Sequence, residues 1–166
     1  MQLAHGYTND SWADEAGIHK HYVGIGAQER MRTELDALQA MTQLVPTPQV
    51  LAVNEGTNTV TLRRVIGRHG QELIGEGRAA DVLRAAGRTL RRIHGSPTRD
   101  GSVLVHGDYG PQNLLFDADS VEVVAVLDWE FSHRGEAVED LAWAEWIVRM
   151  HHPEAVSELT ALFDGL

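Results

Sequence analysis

Three polar side chains, His106, Asp108 and Asn113, fall within eight positions, and Asp128 follows fifteen residues later. Asp108 and Asp128 offer carboxylate oxygens and Asn113 an amide oxygen. These are hard donors, suited to Mg²⁺ rather than to zinc. The set predicts a Mg²⁺-nucleotide site with one acid left over for catalysis, provided that the fold gathers these residues into one small volume.

The flanking segments are of the kind that could gather them. Val103–Val105 and Asn113–Phe116 are apolar runs around a turn-rich loop, His106 to Gln112, and a third run, Val121–Leu127, ends on Asp128. Asp117–Ser120 (DADS) is a turn-forming cluster, so Asn113–Phe116 and Val121–Leu127 are expected to pair as a hairpin. That pairing would bring Asn113, at the start of one strand, near Asp128 at the end of the other. The bland alternative is an apolar hairpin with solvated acids in its turns.

His106-Gly107-Asp108 with Asn113 fits the H-x-D-x-x-x-x-N loop of kinase-like proteins, and Asp128 fits the metal-binding Asp that follows it. The variant HGD, PQN, LDWE resembles the aminoglycoside phosphotransferase family and its small-molecule kinase relatives. It departs from protein kinases, with Gly107 in place of Arg and Trp129-Glu130 in place of Phe-Gly. The resemblance implies an α+β, protein-kinase-like two-lobe fold. Residues 1–66 would form the nucleotide-binding lobe, a small antiparallel sheet plus a helix. Residues 67–166 would form a mainly helical, shortened catalytic lobe. It also implies ATP (or GTP) and Mg²⁺ as cofactors, Asp108 as the catalytic residue, and Asn113 and Asp128 as metal ligands. His106 is expected to order the loop by hydrogen bonding.

Composition sets the outer bounds. The chain has 166 residues, 43% of them hydrophobic, with no cysteine and a formal net charge of −10. Disulfides, thiolate metal sites and cysteine nucleophiles are therefore excluded. No apolar run approaches the roughly 20 residues of a membrane helix, and no signal peptide is visible, so a cytoplasmic protein without membrane partners is expected. Residues 117–166 carry twelve acidic side chains against Arg134 and Arg149, while residues 1–116 are balanced. Nucleic acid, which needs a basic footprint, is an unexpected partner. A small cationic hydroxyl acceptor is compatible with the acidic part.

Along the chain, residues 1–23 read as strand, turn and strand, with Asn9-Asp10-Ser11 and Gly17 as turn formers. By resemblance this hairpin lies over the nucleotide phosphates, with backbone amides or Thr8, Asn9 and Ser11 in place of a glycine-rich loop. Lys20 is the only lysine; all thirteen other cationic residues are arginine. Gln28–Leu44 has helical periodicity through Met31, Leu35 and Leu38, and ends before Val45-Pro46-Thr47-Pro48. Glu34 flanks that apolar stripe and needs a partner. The resemblance supplies Lys20, gripping the α- and β-phosphates, with Glu29 as the competing carboxylate. Gln49–Val53 and Thr59–Val65 read as strands around an Asn54–Asn58 turn, and Val65–Gly70 corresponds to the hinge between lobes.

Ala79–His94 reads as an amphipathic helix capped by Gly95, with Arg84, Arg88, Arg91 and Arg92 on its solvated face. Glu130–Glu136 reads as a polar loop. Ala137–Met150 is apolar nearly all round and is expected to be buried, with Trp143 and Trp146 in the core and Asp140 supporting the catalytic loop. Pro153 opens a last helix. Relatives continue with further helices that finish the acceptor site, so a minimal form, a truncated product and a homo-oligomer that borrows surface all fit. Two rival functions remain compatible with the sequence. One is a non-catalytic nucleotide-binding module. The other is a metal-dependent phosphohydrolase using His106, Asp108 and Asp128.

Overall fold

The computed structural model describes residues 9–96 and 98–166. The strand expected before Asn9 and the phosphate contact expected of Thr8 lie outside the described residues. Strands β1 (Asn9–Ala13) and β2 (Ile18–Tyr22) form an antiparallel hairpin. Asn9-Asp10-Ser11 is therefore strand rather than turn. The reversal falls at Asp14–Gly17, where Asp14 Oδ1 accepts the N–H groups of Ala16 and Gly17 at 2.8 and 3.2 Å. This local side-chain bonding defines a turn more strongly than the Asn-Asp-Ser composition does.

Helix α1 (Ala27–Met41) follows and buries Met31, Glu34, Ala37, Leu38 and Met41 on one face. Strands β3 (Val50–Asn54) and β4 (Thr59–Leu62), joined through a 3₁₀ turn at Glu55–Thr57, complete a sheet of order β1-β2-β4-β3. Residues alternate across β2, so Lys20 and Tyr22 are buried on the face that meets α1.

The second half begins with β5 (Arg68–His69) and α2 (Gly70–Gly75), neither of which the sequence pattern announces. Helix α3 (Ala79–Ile93) buries nine residues from Ala79 to Ile93 and leaves Arg84, Arg88, Arg91 and Arg92 exposed, as its periodicity predicts. The expected hairpin forms from β7 (Leu114–Phe116) and β8 (Val123–Val126), with Leu114 opposite Val126. Strand β6 (Val103–Val105) pairs instead with β9 (His133–Gly135). The segment expected to be a polar loop thus contains a short strand that pairs with β6, the strand leading into the His106–Gln112 loop.

Helix α4 (Ala137–His151) opens with a capping box between Glu136 and Glu139. It is not buried all round. Only Asp140, Ala144, Ile147 and Val148 are buried, while Val138, Trp143, Trp146 and Met150 are exposed. A 3₁₀ segment, Pro153–Glu158, leads into α5 (Thr160–Asp164), which packs on α3. The core is continuous across both halves and centres on Trp129, Tyr22, Tyr109, Phe116 and Met31. The polar atoms of its aromatic residues are satisfied: Tyr109 donates to Ala86 O at 2.8 Å, and Trp129 Nε1 to Val126 O at 3.1 Å. Among the described residues no helix is long and apolar enough to cross a membrane.

Candidate active site

Lys20 sits where the sheet, α1 and the end of β8 converge. Its Nζ lies 2.6 Å from Glu34 Oε2 and 2.5 Å from Asp128 Oδ1, with Lys20 and Glu34 both buried. Glu29, the competing carboxylate, is exposed on another face of α1. Burial alone would drive the Lys20 ammonium toward neutrality. The carboxylates of Glu34, Asp128 and Glu130 outweigh it and hold its pKa above the ordinary lysine value. The Tyr22 hydroxyl also donates to Glu34 Oε2. Burial and that adjacent carboxylate keep the phenol protonated, so it remains a donor.

The loop after β6 is fixed from three directions. Asp140 on α4 is fully buried, and its Oδ2 and Oδ1 accept the backbone N–H groups of His106 and Gly107 at 2.8 and 2.9 Å. His94, at the end of α3, bonds Asp140 Oδ2 at 2.9 Å. Burial pushes the Asp140 carboxyl up, yet the bonds from His94, His106 and Gly107 hold it below the usual aspartate value. His106 Nδ1 accepts the Asp108 N–H at 3.2 Å, so Nε2 carries the proton donated to Leu127 O at 2.9 Å. Both ring nitrogens are thereby occupied. Gly107 has φ +83°, and a Cβ there would lie 2.4 Å from Phe131 O. The position that holds Arg in protein kinases admits only glycine here.

Asn113 closes the loop. Its Nδ2 donates to Asp108 O at 2.9 Å and to Asp108 Oδ2 at 2.8 Å, which leaves its Oδ1 as a free-facing acceptor. Leu127 N donates to Asn113 O at 2.8 Å, placing Asp128 one residue beyond that contact. Asp128 adopts φ +63°, a left-handed conformation rare outside glycine, and so leaves β8 turned toward Lys20. The structure therefore ties Asp108 to Asn113, Asn113 to the β8 end, and Asp128 to Lys20 and Glu34.

The donor set suits Mg²⁺. Asn113 Oδ1 and the Asp128 carboxylate, one-third exposed, are two oxygen donors flanking the paired strands β7 and β8. Among the described residues no cluster of three or more His, Asp or Glu is arranged around a common metal position.

Two contacts escaped the sequence reading. Glu130, assigned to a polar loop, is buried, accepts from Asn9 Nδ2 at 2.9 Å and lies 3.4 Å from Arg30 Nη1. It joins β1 and α1 to the segment after Asp128. Trp143, assigned to the core, is exposed, and its Nε1 donates to Asp108 Oδ1 at 2.8 Å. The i, i+3 spacing from Asp140 was the available signal for Trp143. For Glu130 it was adjacency to Asp128-Trp129.

A family model described as "Phosphotransferase enzyme family" matches residues 1–102 and 97–163. Mouse (Mus musculus) acyl-CoA dehydrogenase family member 10 is 44% identical over 48 residues, 29% of this chain, and the chain spans only 4% of that relative's length. Among solved structures, an aminoglycoside-3′-phosphotransferase of type VIII superposes with a TM-score of 0.76 at 15% identity, covering 99% of this chain and 83% of that one. A choline/ethanolamine kinase family protein from Mesorhizobium loti gives 0.74 at 18% identity, covering 99% and 69%. An aminoglycoside phosphotransferase in ternary complex with streptomycin and ATP gives 0.66 at 11% identity, covering 99% and 82%. The architecture is thus the kinase-like α+β fold of these enzymes, a small sheet and helix followed by a mainly helical part.

Proposed function

The chain belongs to the phosphotransferase enzyme family, and from that premise we propose that it moves the γ-phosphoryl group of ATP (or GTP) to a hydroxyl of a small molecule. The observation that carries this reading is the buried Lys20–Glu34 pair reaching Asp128 at 2.5 Å. A lone, charge-locked lysine beside a metal-suited carboxylate fits a nucleotide triphosphate better than it fits structure alone. Residues 1–66 act as the nucleotide lobe and residues 67–166 as the catalytic lobe.

Lys20 grips the α- and β-phosphates, and Glu34 fixes its ammonium. Asn113 and Asp128 would hold Mg²⁺, which would supply charge neutralisation on the phosphate oxygens. Asp108 orients the acceptor hydroxyl and takes its proton as the acceptor O–P bond forms and the P–O bond to the nucleoside diphosphate breaks. Catalysis is then mainly positioning and electrostatic stabilisation. The acceptor we propose is a small cationic molecule such as an aminoglycoside. The excess of acids over residues 117–166 supports this, since it draws cations toward the segment that carries Asp128.

The phosphohydrolase alternative asks His106 to ligate a metal. With Nδ1 and Nε2 both engaged inside the loop, His106 instead supports the phosphotransferase reading. The test is transfer of label from [γ-³²P]ATP to a panel of aminoglycosides, amino alcohols and sugars, with wild type and Asp108→Asn. Labelled acceptor from the wild type, reduced about 10²–10³-fold in the variant, is expected. Phosphate release from p-nitrophenyl phosphate without ATP, and no labelled acceptor, would refute the reading.

A further inference from the structure

We propose that Trp143 is a positioning residue for Asp108, an inference that rests on the phosphotransferase reading above. The chemistry of indole limits what Trp143 can do. Nε1–H donates one hydrogen bond and accepts none. That single donor meets Asp108 Oδ1 at 2.8 Å, while Asn113 Nδ2 meets Oδ2 at 2.8 Å. The two carboxylate oxygens are therefore held by different elements, Oδ2 from within the loop and Oδ1 from α4. This fixes the plane of the carboxylate. Each oxygen keeps a further lone pair for an acceptor hydroxyl, and the indole has no site with which to compete for the proton.

Helix α4 is built to hold that donor in place. Asp140 and Trp143 are three residues apart and so share a helix face. Asp140 anchors the backbone of the loop at His106 and Gly107, while Trp143 anchors the side chain of the next residue, Asp108. Trp146, three residues further on, stacks on Trp143 with ring centroids 4.9 Å apart and planes 27° apart. Packing alone does not account for Trp143, which is 40% exposed at the margin of the α4 face that buries Asp140, Ala144 and Ile147.

The step at issue is the one that Asp108 serves. The acceptor oxygen bonds to Pγ, the Pγ–O bond to the nucleoside diphosphate breaks, and the acceptor proton passes to the Asp108 carboxylate. Without the indole N–H the carboxylate can swing about its remaining bond to Asn113, and a displacement of about 1 Å from productive geometry can cost up to about a hundredfold in rate.

The test is Mg·ATP hydrolysis with water as acceptor, in wild type and Trp143→Phe, which keeps an aromatic ring and removes the donor. We expect kcat to fall about ten- to a hundredfold with KM for Mg·ATP and the melting temperature unchanged. In ¹⁵N-labelled protein, the indole resonance lost in Trp143→Phe should also move in Asp108→Asn. Unchanged kcat, or kcat, KM and melting temperature deteriorating together, would overturn the proposal, as would an indole resonance indifferent to Asp108→Asn. A folded wild type that neither binds nor hydrolyses Mg·ATP would fail the phosphotransferase reading itself. That outcome is separable because it appears before any Trp143 variant is made.

Discussion

Lys20 and Asp128 meet at 2.5 Å between Nζ and Oδ1, although 108 positions separate them. The contact joins the sheet that carries Lys20 to the strand end that carries Asp128. Glu34 completes it from α1 at 2.6 Å. The ammonium is thus a junction of three elements, and its removal should be felt in both stability and ligand binding.

Lys20→Met keeps most of the side-chain volume but leaves Glu34 buried with only the Tyr22 hydroxyl as a donor. Breaking a buried pair in this way costs about 3 kcal/mol. The urea midpoint should fall accordingly, and Mg·ATP affinity should drop by more than the loss of fold accounts for. Glu34→Gln should weaken nucleotide binding less, because the amide can still accept a hydrogen bond from Lys20.

Gly107→Ala should disable the loop while the rest of the fold persists. The left-handed φ of +83° costs an L-residue about 1–2 kcal/mol, and the new Cβ would press on Phe131 O. Phosphoryl transfer should fall sharply, with far-ultraviolet circular dichroism unchanged. Full activity in this variant would mean that the loop geometry does not matter.

Asp140 makes stability depend on pH in a defined direction. Its carboxyl is held below the ordinary aspartate value in the folded protein. Its contribution is therefore fully present above the unfolded value of about 3.9 and is lost as pH falls through the lower folded value. Asp140→Asn offers one acceptor oxygen where the loop needs two, and should cost about 3 kcal/mol at neutral pH. The difference from wild type in urea unfolding should shrink as pH drops below about 4. A difference that grows toward acid would contradict the assignment.

The site was legible in the sequence where spacing and chemistry coincide. A single lysine in an alternating strand, a carboxylate beside the apolar stripe of the next helix, and the His106, Asp108, Asn113 and Asp128 spacing singled out residues that the structure brings into contact, with the family resemblance supplying their expected roles. What stayed hidden depended on long-range pairing or on one-sided burial. β5 and β9 are two- and three-residue strands whose partners lie far along the chain, and so short a segment has no period to read. Helix α4 is apolar around most of its circumference, so composition could not say which side faces the core. Trp143 consequently looked like packing when its N–H meets Asp108. Glu130 read as part of a polar loop because Asn9 and Arg30, which neighbour it, come from the other end of the chain.

The measurement that tests the central claim most directly is calorimetric titration of ATP, with and without Mg²⁺, into wild type and Asp128→Asn. The account predicts binding that requires Mg²⁺ in the wild type and is weakened at least tenfold in the variant, with both proteins folded. Binding that is indifferent to Mg²⁺ and to Asp128, or no binding by a folded wild type, would contradict it.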